Sequence, residues 1–241
     1  MIKWHIGCSG FYYKHWKGSF YPGDLPQKKW FEYYCESFKT VELNVTFYHF
    51  PQLSYLQNWY GRCPKEFQFA VKAPRIITHY KKFTDTADII SDFYQTVSEG
   101  LQEKLGCVLF QMPPKFTYSE ERLEKLVNSL DPVFPNVAEF RHESWWNETV
   151  YQELARNNIS FCGMSHPTLP DEVVSNTPIL YYRLHGKGQL YASNYEPKEL
   201  QQITGEIKEH SNVKDAFVFF NNDIYTYAVY NAQEMQKMAI R

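Results

Sequence analysis

The sequence has no C-x-x-C pair, no Gly/Ser linker, no low-complexity tract and no apolar run approaching a membrane span. Five cysteines (Cys8, Cys35, Cys63, Cys107 and Cys162) are odd in number and widely separated. That excludes a disulfide framework or a zinc ribbon and suits a reducing compartment. The segment Met1-Ile2-Lys3-Trp4-His5 lacks the apolar stretch of a signal peptide, so a soluble, cytoplasmic protein with no membrane partner is expected. A formal charge of −2 gives no broad electrostatic surface for nucleic acid, although local basic patches keep that partner open. Nothing divides the 241 residues, and their number suits one α/β barrel, so a single domain over residues 1–241 is expected.

What is present is alternation. Eight short apolar runs, Trp4–Gly10, Thr40–Thr46, Phe67–Ala73, Gly106–Met112, Asn136–Arg141, Ile159–Ser165, Ile179–Gly186 and Ala216–Asn222, mostly end in polar clusters. Helix-like stretches follow nearly every run: Leu25–Phe38, Asp85–Lys104, Ser119–Leu130, Glu148–Asn157, Glu196–His210 and Ile224–Met238. Ser119 and Asp223 read as N-caps. Three prolines within His166–Pro178 leave room for at most a short or degenerate sixth helix. Strands alternating with helices imply parallel strands and crossover connections. The expected fold is α/β, a single (β/α)8 TIM barrel, with its site where the strands end.

Side chains on a barrel strand alternate between the interior and the helix layer. Val41, Leu43 and Val45 then face the helices, so Glu42 and Asn44 point inward. The same parity turns Gln68, Ala70 and Lys72 inward, with Leu109, Gln111, Glu139, Arg141, Tyr181, Arg183, His185, Phe219 and Asn221. Isolated charges there are costly, so they must be paired, hydrated or bound to ligand. One reading is a closed ion-pair network joining Glu42 or Glu139 to Arg183 or Arg141. The other is a functional pocket, which requires that those four groups are not all buried and paired beneath a closed surface. In that pocket Glu42, Glu139 and His185 are the candidate catalytic residues for proton transfer. Lys72, Arg141 and Arg183 would hold an anion, and Asn44, Gln111 and Asn221 would orient hydroxyls. Trp145, with Trp146 and the segment Phe11–Trp16, would wall or cover the mouth. His185-Gly186-Lys187-Gly188 is either a phosphate loop or an ordinary turn.

The leading expectation is an enzyme acting on a small anionic or phosphorylated, sugar-like metabolite, without a cofactor. A metal-dependent endonuclease-like or nucleic-acid-binding barrel is the alternative, and a non-catalytic ligand-binding barrel a second. A metal site among Glu42, Glu139, His142, His185 and His79 lacks any diagnostic spacing, and no metal is assigned. Oligomeric state is open.

Motifs along the whole chain carry a resemblance. They include Gly7-Cys8-Ser9-Gly10-Phe11, Phe20-Tyr21-Pro22, Thr40-Val41-Glu42-Leu43-Asn44-Val45-Thr46-Phe47-Tyr48 and Thr78-His79. Further along are Gln111-Met112-Pro113-Pro114, Glu139-Phe140-Arg141-His142, Tyr182-Arg183-Leu184-His185-Gly186 and Phe220-Asn221-Asn222-Asp223. With these the chain resembles the YecE-type family, domain-of-unknown-function family 72, departing from it in having Cys8 where the family commonly has Thr. The resemblance implies a TIM-barrel-like fold and no established reaction. Likeness in shape to apurinic-site endonucleases and sugar isomerases is analogy of fold alone.

Overall fold

A computed structural model describes residues 1–240. Eight parallel strands form one sheet: β1 (Lys3–Cys8), β2 (Thr40–Leu43), β3 (Gln68–Lys72), β4 (Leu105–Gln111), β5 (Asn136–Glu139), β6 (Ile159–Ser165), β7 (Ile179–Leu184) and β8 (Asp215–Phe220). Hydrogen-bonded order runs β1-β8-β7-β6-β5-β4-β3-β2, and β1 lies beside β2 to bring the barrel nearly closed. The inward cluster of Ala70, Cys107, Leu109, Val137, Cys162, Tyr181, Phe217 and Phe219 fills the interior, so the barrel is a packed core with its polar groups at one end. Parity had placed four of these inward: Ala70, Leu109, Tyr181 and Phe219.

The β1–β2 seam has no ladder of its own. Instead the Tyr34 hydroxyl accepts from the Cys8 N–H and donates to the Thr40 carbonyl, each at 2.9 Å. Gly7 permits the close approach, since a Cβ there would lie 2.4 Å from the Thr40 oxygen.

Helices cover the sheet: α1 (Trp30–Ser37), α2 (Val45–Tyr48), α3 (Leu53–Arg62), α4 (Ala87–Leu101), α5 (Glu120–Ser129), α6 (Glu148–Arg156), α7 (Pro197–Glu209) and α8 (Tyr227–Ala239). Ser119 caps α5 as expected, its Oγ accepting from the Arg122 N–H at 3.3 Å. Asp223 does not cap α8. Thr226 precedes that helix in the left-handed region at φ 65°, and Asp223 is instead paired with His15 at 3.1 Å. Between β6 and β7 no helix forms; Asn176 donates to the Ile159 and Tyr151 carbonyls and accepts from the Phe161 N–H, occupying backbone groups there. Helices α2 and α3 were not expected from the sequence. Leu56 is the one buried side chain of α3, so its apolar stripe is narrow; it lies over α4 where Gly100 has no Cβ to meet it.

Candidate functional site

The C-terminal ends of the strands form a mouth floored by charge. Arg183 is the centre: its Nη2 donates to Glu42 Oε1 at 2.6 Å and its Nη1 to Glu139 Oε2 at 2.5 Å. Arg141 pairs through Nε with Glu139 Oε1. The second Glu42 oxygen accepts from the Tyr181 hydroxyl at 2.7 Å, and Asn44 Nδ2 also donates to Oε1. Glu42 and Glu139 are 0% exposed and Arg183 is 1% exposed. The carboxylates are therefore saturated with charge-assisted partners, the condition under which buried ions are tolerated. Burial would raise the Glu139 carboxyl, but Arg141, Arg183 and Lys72 outweigh it and hold the group at about 2. It stays ionised and gives no proton near neutral pH.

This changes the expected roles of the three candidate catalytic residues. Glu42 and Glu139 build the floor instead of standing free for proton transfer. His185 is fully buried between Arg141 Nη2 at 3.0 Å from its Nε2 and Asn221 Nδ2 at 3.1 Å from its Nδ1. Burial, reinforced by Arg141 and Arg183, pushes it well below the ordinary histidine range, so the ring is neutral. A neutral imidazole has one N–H and one acceptor, and guanidinium only donates. Nε2 thus accepts from Arg141 and Nδ1 carries the proton, which calls for the Asn221 amide turned to bring its oxygen, in place of Nδ2, to Nδ1.

Lys72 differs from the arginines. It is 8% exposed, and its Nζ donates to the neutral Gln111 Oε1 at 2.5 Å and sits 4.1 Å from the centre of the Phe47 ring. Among the described residues no carboxylate lies within ion-pair distance of it. Burial, with Arg183 and Arg141 acting in the same sense, lowers Lys72 to about 7, the carboxylates of Glu139 and Glu42 opposing only in part.

Phe47 and His166, which sequence reasoning passed over, complete the rim with His79, which it weighed only as a metal ligand. Phe47 lies on α2, and His79 on a π-helical turn, Ile76–Tyr80, a distortion common near functional sites. The His79 ring meets Phe47 edge-on at 4.9 Å and its Nδ1 pairs with Thr78 Oγ1 at 2.9 Å. Burial and Lys72 hold His79 at about 4. His166 stands 5.8 Å from the His185 ring, and burial, then Arg141, holds it at about 4 also. His166 is a polar residue just beyond β6, the signal that could have found it.

Two expected elements lie elsewhere. Trp145 is fully buried, stacked on Phe140 at 4.0 Å with its Nε1 donating to the Phe116 carbonyl, and belongs to the core instead of the mouth. The Gly186–Gly188 segment is an internally satisfied turn: the Gly186 N–H donates to Tyr195, and those of Gly188 and Gln189 to Ser193 Oγ. Lys187 is paired with Asp171 at 3.1 Å. Beside the mouth, between the loops after β1 and β2, opens a cleft of about 800 Å³ walled by Phe11, Tyr12, Phe31, Tyr55 and Trp59. Asn44 lines it and joins it to the floor, and its buried Oδ1 has no partner. Among the described residues no three His, Cys, Asp or Glu side chains gather as metal ligands, and no helix is long and apolar enough to cross a membrane.

Eight parallel strands, flanking helices and a polar end define a TIM-barrel-like α/β protein. Residues 5–241 match the family described as "Protein of unknown function DUF72", and the chain belongs to that family. It is 25% identical to the UPF0759 protein YunF of Bacillus subtilis (strain 168) over 91% of this chain and 90% of YunF. It is 23% identical to the UPF0759 protein YecE of Escherichia coli (strain K12), over 69% of this chain and 60% of YecE. The crystal structure of a DUF72 family protein from Thermotoga maritima MSB8 superposes with a TM-score of 0.87 at 28% identity, covering 99% of each chain. One from Enterococcus faecalis V583 gives 0.85 at 19% identity, covering 99% of this chain and 96% of the other, a likeness of fold alone.

Proposed function

We propose that the mouth binds a small anionic metabolite, its charged group held by Lys72 and Arg141 above the Glu42–Arg183–Glu139 floor. The observation that carries this reading is the charge count: three cations face two carboxylates, both already taken by arginines, so Lys72 is left unpaired. A carboxylate or phosphate between Lys72 and Arg141 restores the balance. Arg141 can receive it, because Nε and Nη2 are engaged while Nη1 has no hydrogen bond among the described residues. The rest of the ligand has the aromatic cleft beyond Asn44, whose ring faces suit a sugar or another flat group.

Acid/base chemistry by Glu42 and Glu139 is not part of this reading, since their oxygens are occupied. Nor do local contacts favour the nuclease alternative, which needs metal ligands gathered at one place. Titration calorimetry with inorganic phosphate tests the proposal. Lys72→Met should weaken binding at least about tenfold, the scale of one charge-assisted hydrogen bond. Wild-type affinity for sulfate, whose charge is constant in that window, should fall as pH rises through about 7, where Lys72 loses its proton. Phosphate binding that is absent, or that Lys72→Met leaves unchanged, would sink the reading.

A further inference from the structure

A buried lysine without a carboxylate is unusual for a residue whose only need is to stay charged. Glu42 and Glu139 are consumed by arginines, while the Lys72 amine is aimed by a neutral amide, Gln111 Oε1 at 2.5 Å, and backed by the Phe47 ring at 4.1 Å. One N–H is anchored on Gln111 and one side of the amine packs on the Phe47 ring, an arrangement that suits an amine that reacts. We infer that Lys72 is a nucleophile that forms an imine with a small carbonyl compound bearing an anionic group, such as a 2-oxo acid. The inference rests on the anion site proposed above and names the class of compound that site would receive.

The step balances without any oxidant or metal. Lys72 Nζ attacks the carbonyl carbon, forming C–N as the C=O π pair moves to oxygen. One N–H proton passes to that oxygen, giving a carbinolamine. The nitrogen pair then forms C=N as the C–O bond breaks, and the oxygen leaves as water with the second N–H proton. His79 packs on the same Phe47 ring, with its Nδ1 held by Thr78. The ligand's carboxylate lies on Arg141 while its carbonyl meets Lys72, with Gln111 on the intervening strand β4 holding the amine between them.

Desolvation beside Arg183 and Arg141 supports the same role, because Lys72 at about 7 is half neutral at neutral pH. A solvent-exposed lysine near 10.4 is neutral in roughly one molecule in two thousand under those conditions. Allowing for the lower intrinsic reactivity of a less basic amine, capture at Lys72 should exceed that at a surface lysine by roughly tenfold to a hundredfold.

The experiment is incubation of the whole protein with pyruvate and sodium cyanoborohydride at neutral pH, followed by peptide mapping. The expected result is a reduced adduct concentrated at Lys72 over the exposed Lys65 and Lys82, and suppressed by inorganic phosphate. Lys72→Arg should yield no enrichment, and Gln111→Leu should slow trapping at Lys72. An adduct level at Lys72 no greater than at Lys65 and Lys82, in protein that still binds phosphate, overturns the imine and leaves the anion site standing. Enrichment at Lys72 that phosphate neither prevents nor accompanies by binding supports the nucleophile and overturns the anion reading instead.

Discussion

Replacing Lys72 with methionine is expected to stabilise the protein below pH 7, although it removes a hydrogen bond to Gln111 and a contact with Phe47. An unfolded lysine keeps its proton up to about 10.5, whereas folded Lys72 gives it up at about 7. At roughly 1.4 kcal/mol for each tenfold change in proton affinity, protonated Lys72 opposes folding by up to about 5 kcal/mol. Relaxation around the ammonium and the lost contacts with Gln111 and Phe47 reduce the gain, and about 2 kcal/mol is the expected observable. The sign with pH follows from proton binding. Between 7 and 10.5 the unfolded chain holds more protons at this residue than the folded chain, so wild-type stability rises across that window. The penalty is complete below 7 and vanishes near 10.5; the variant has neither the penalty nor the rise. Urea unfolding of both proteins at about pH 6 and about pH 10, in buffer free of phosphate, measures the difference. A variant less stable than wild type at the lower pH, or two parallel profiles, would refute the account of Lys72 as an unpaired buried cation.

Other consequences follow from the same contacts. Tyr34→Phe should cost about 2–4 kcal/mol, because the Cys8 N–H and Thr40 carbonyl lose the hydroxyl that joins them across the seam; a loss under about 1 kcal/mol by urea unfolding would contradict it. Arg183→Met leaves buried Glu42 without a cation and Glu139 with Arg141 alone, and should cost about 3–5 kcal/mol in the same assay, with near-wild-type stability counting against the floor as described. Trp145→Ala should cost about 3–5 kcal/mol as a core cavity and leave phosphate affinity unchanged in the folded fraction. An altered affinity at unaltered stability would put Trp145 back at the ligand.

Strand parity read the direction of side chains well because it depends on backbone geometry alone. Val41-Glu42-Leu43 alternates whatever the neighbouring strands do, so the inward turn of Glu42 was legible, as were those of Arg183 and Lys72. Aromatic residues were harder. Trp145 and Tyr12 lie in similar polar loops, yet Trp145 is enclosed by Phe116 and Phe140 while Tyr12 is more than half exposed. Burial there depends on what folds over the ring. Helix α3 was missed for a related reason, since its stripe of Leu53, Leu56 and Trp59 is short and narrow and only Leu56 of it is buried.

Local sequence thus determined the α/β alternation, the end of the barrel that is polar and the residues that face inward there. The period of a strand is a local property, and the family's motifs lie on the same strand ends. Tertiary structure decided the pairing. Arg183 reaches Glu42 across 141 residues of chain and Glu139 across 44, and only barrel closure sets which cation meets which carboxylate. That closure gave both carboxylates to arginines, sealed the β1–β2 seam with the Tyr34 hydroxyl, and left Lys72 on a neutral amide. A charge's partner is fixed by distance in the fold and by competition among neighbours.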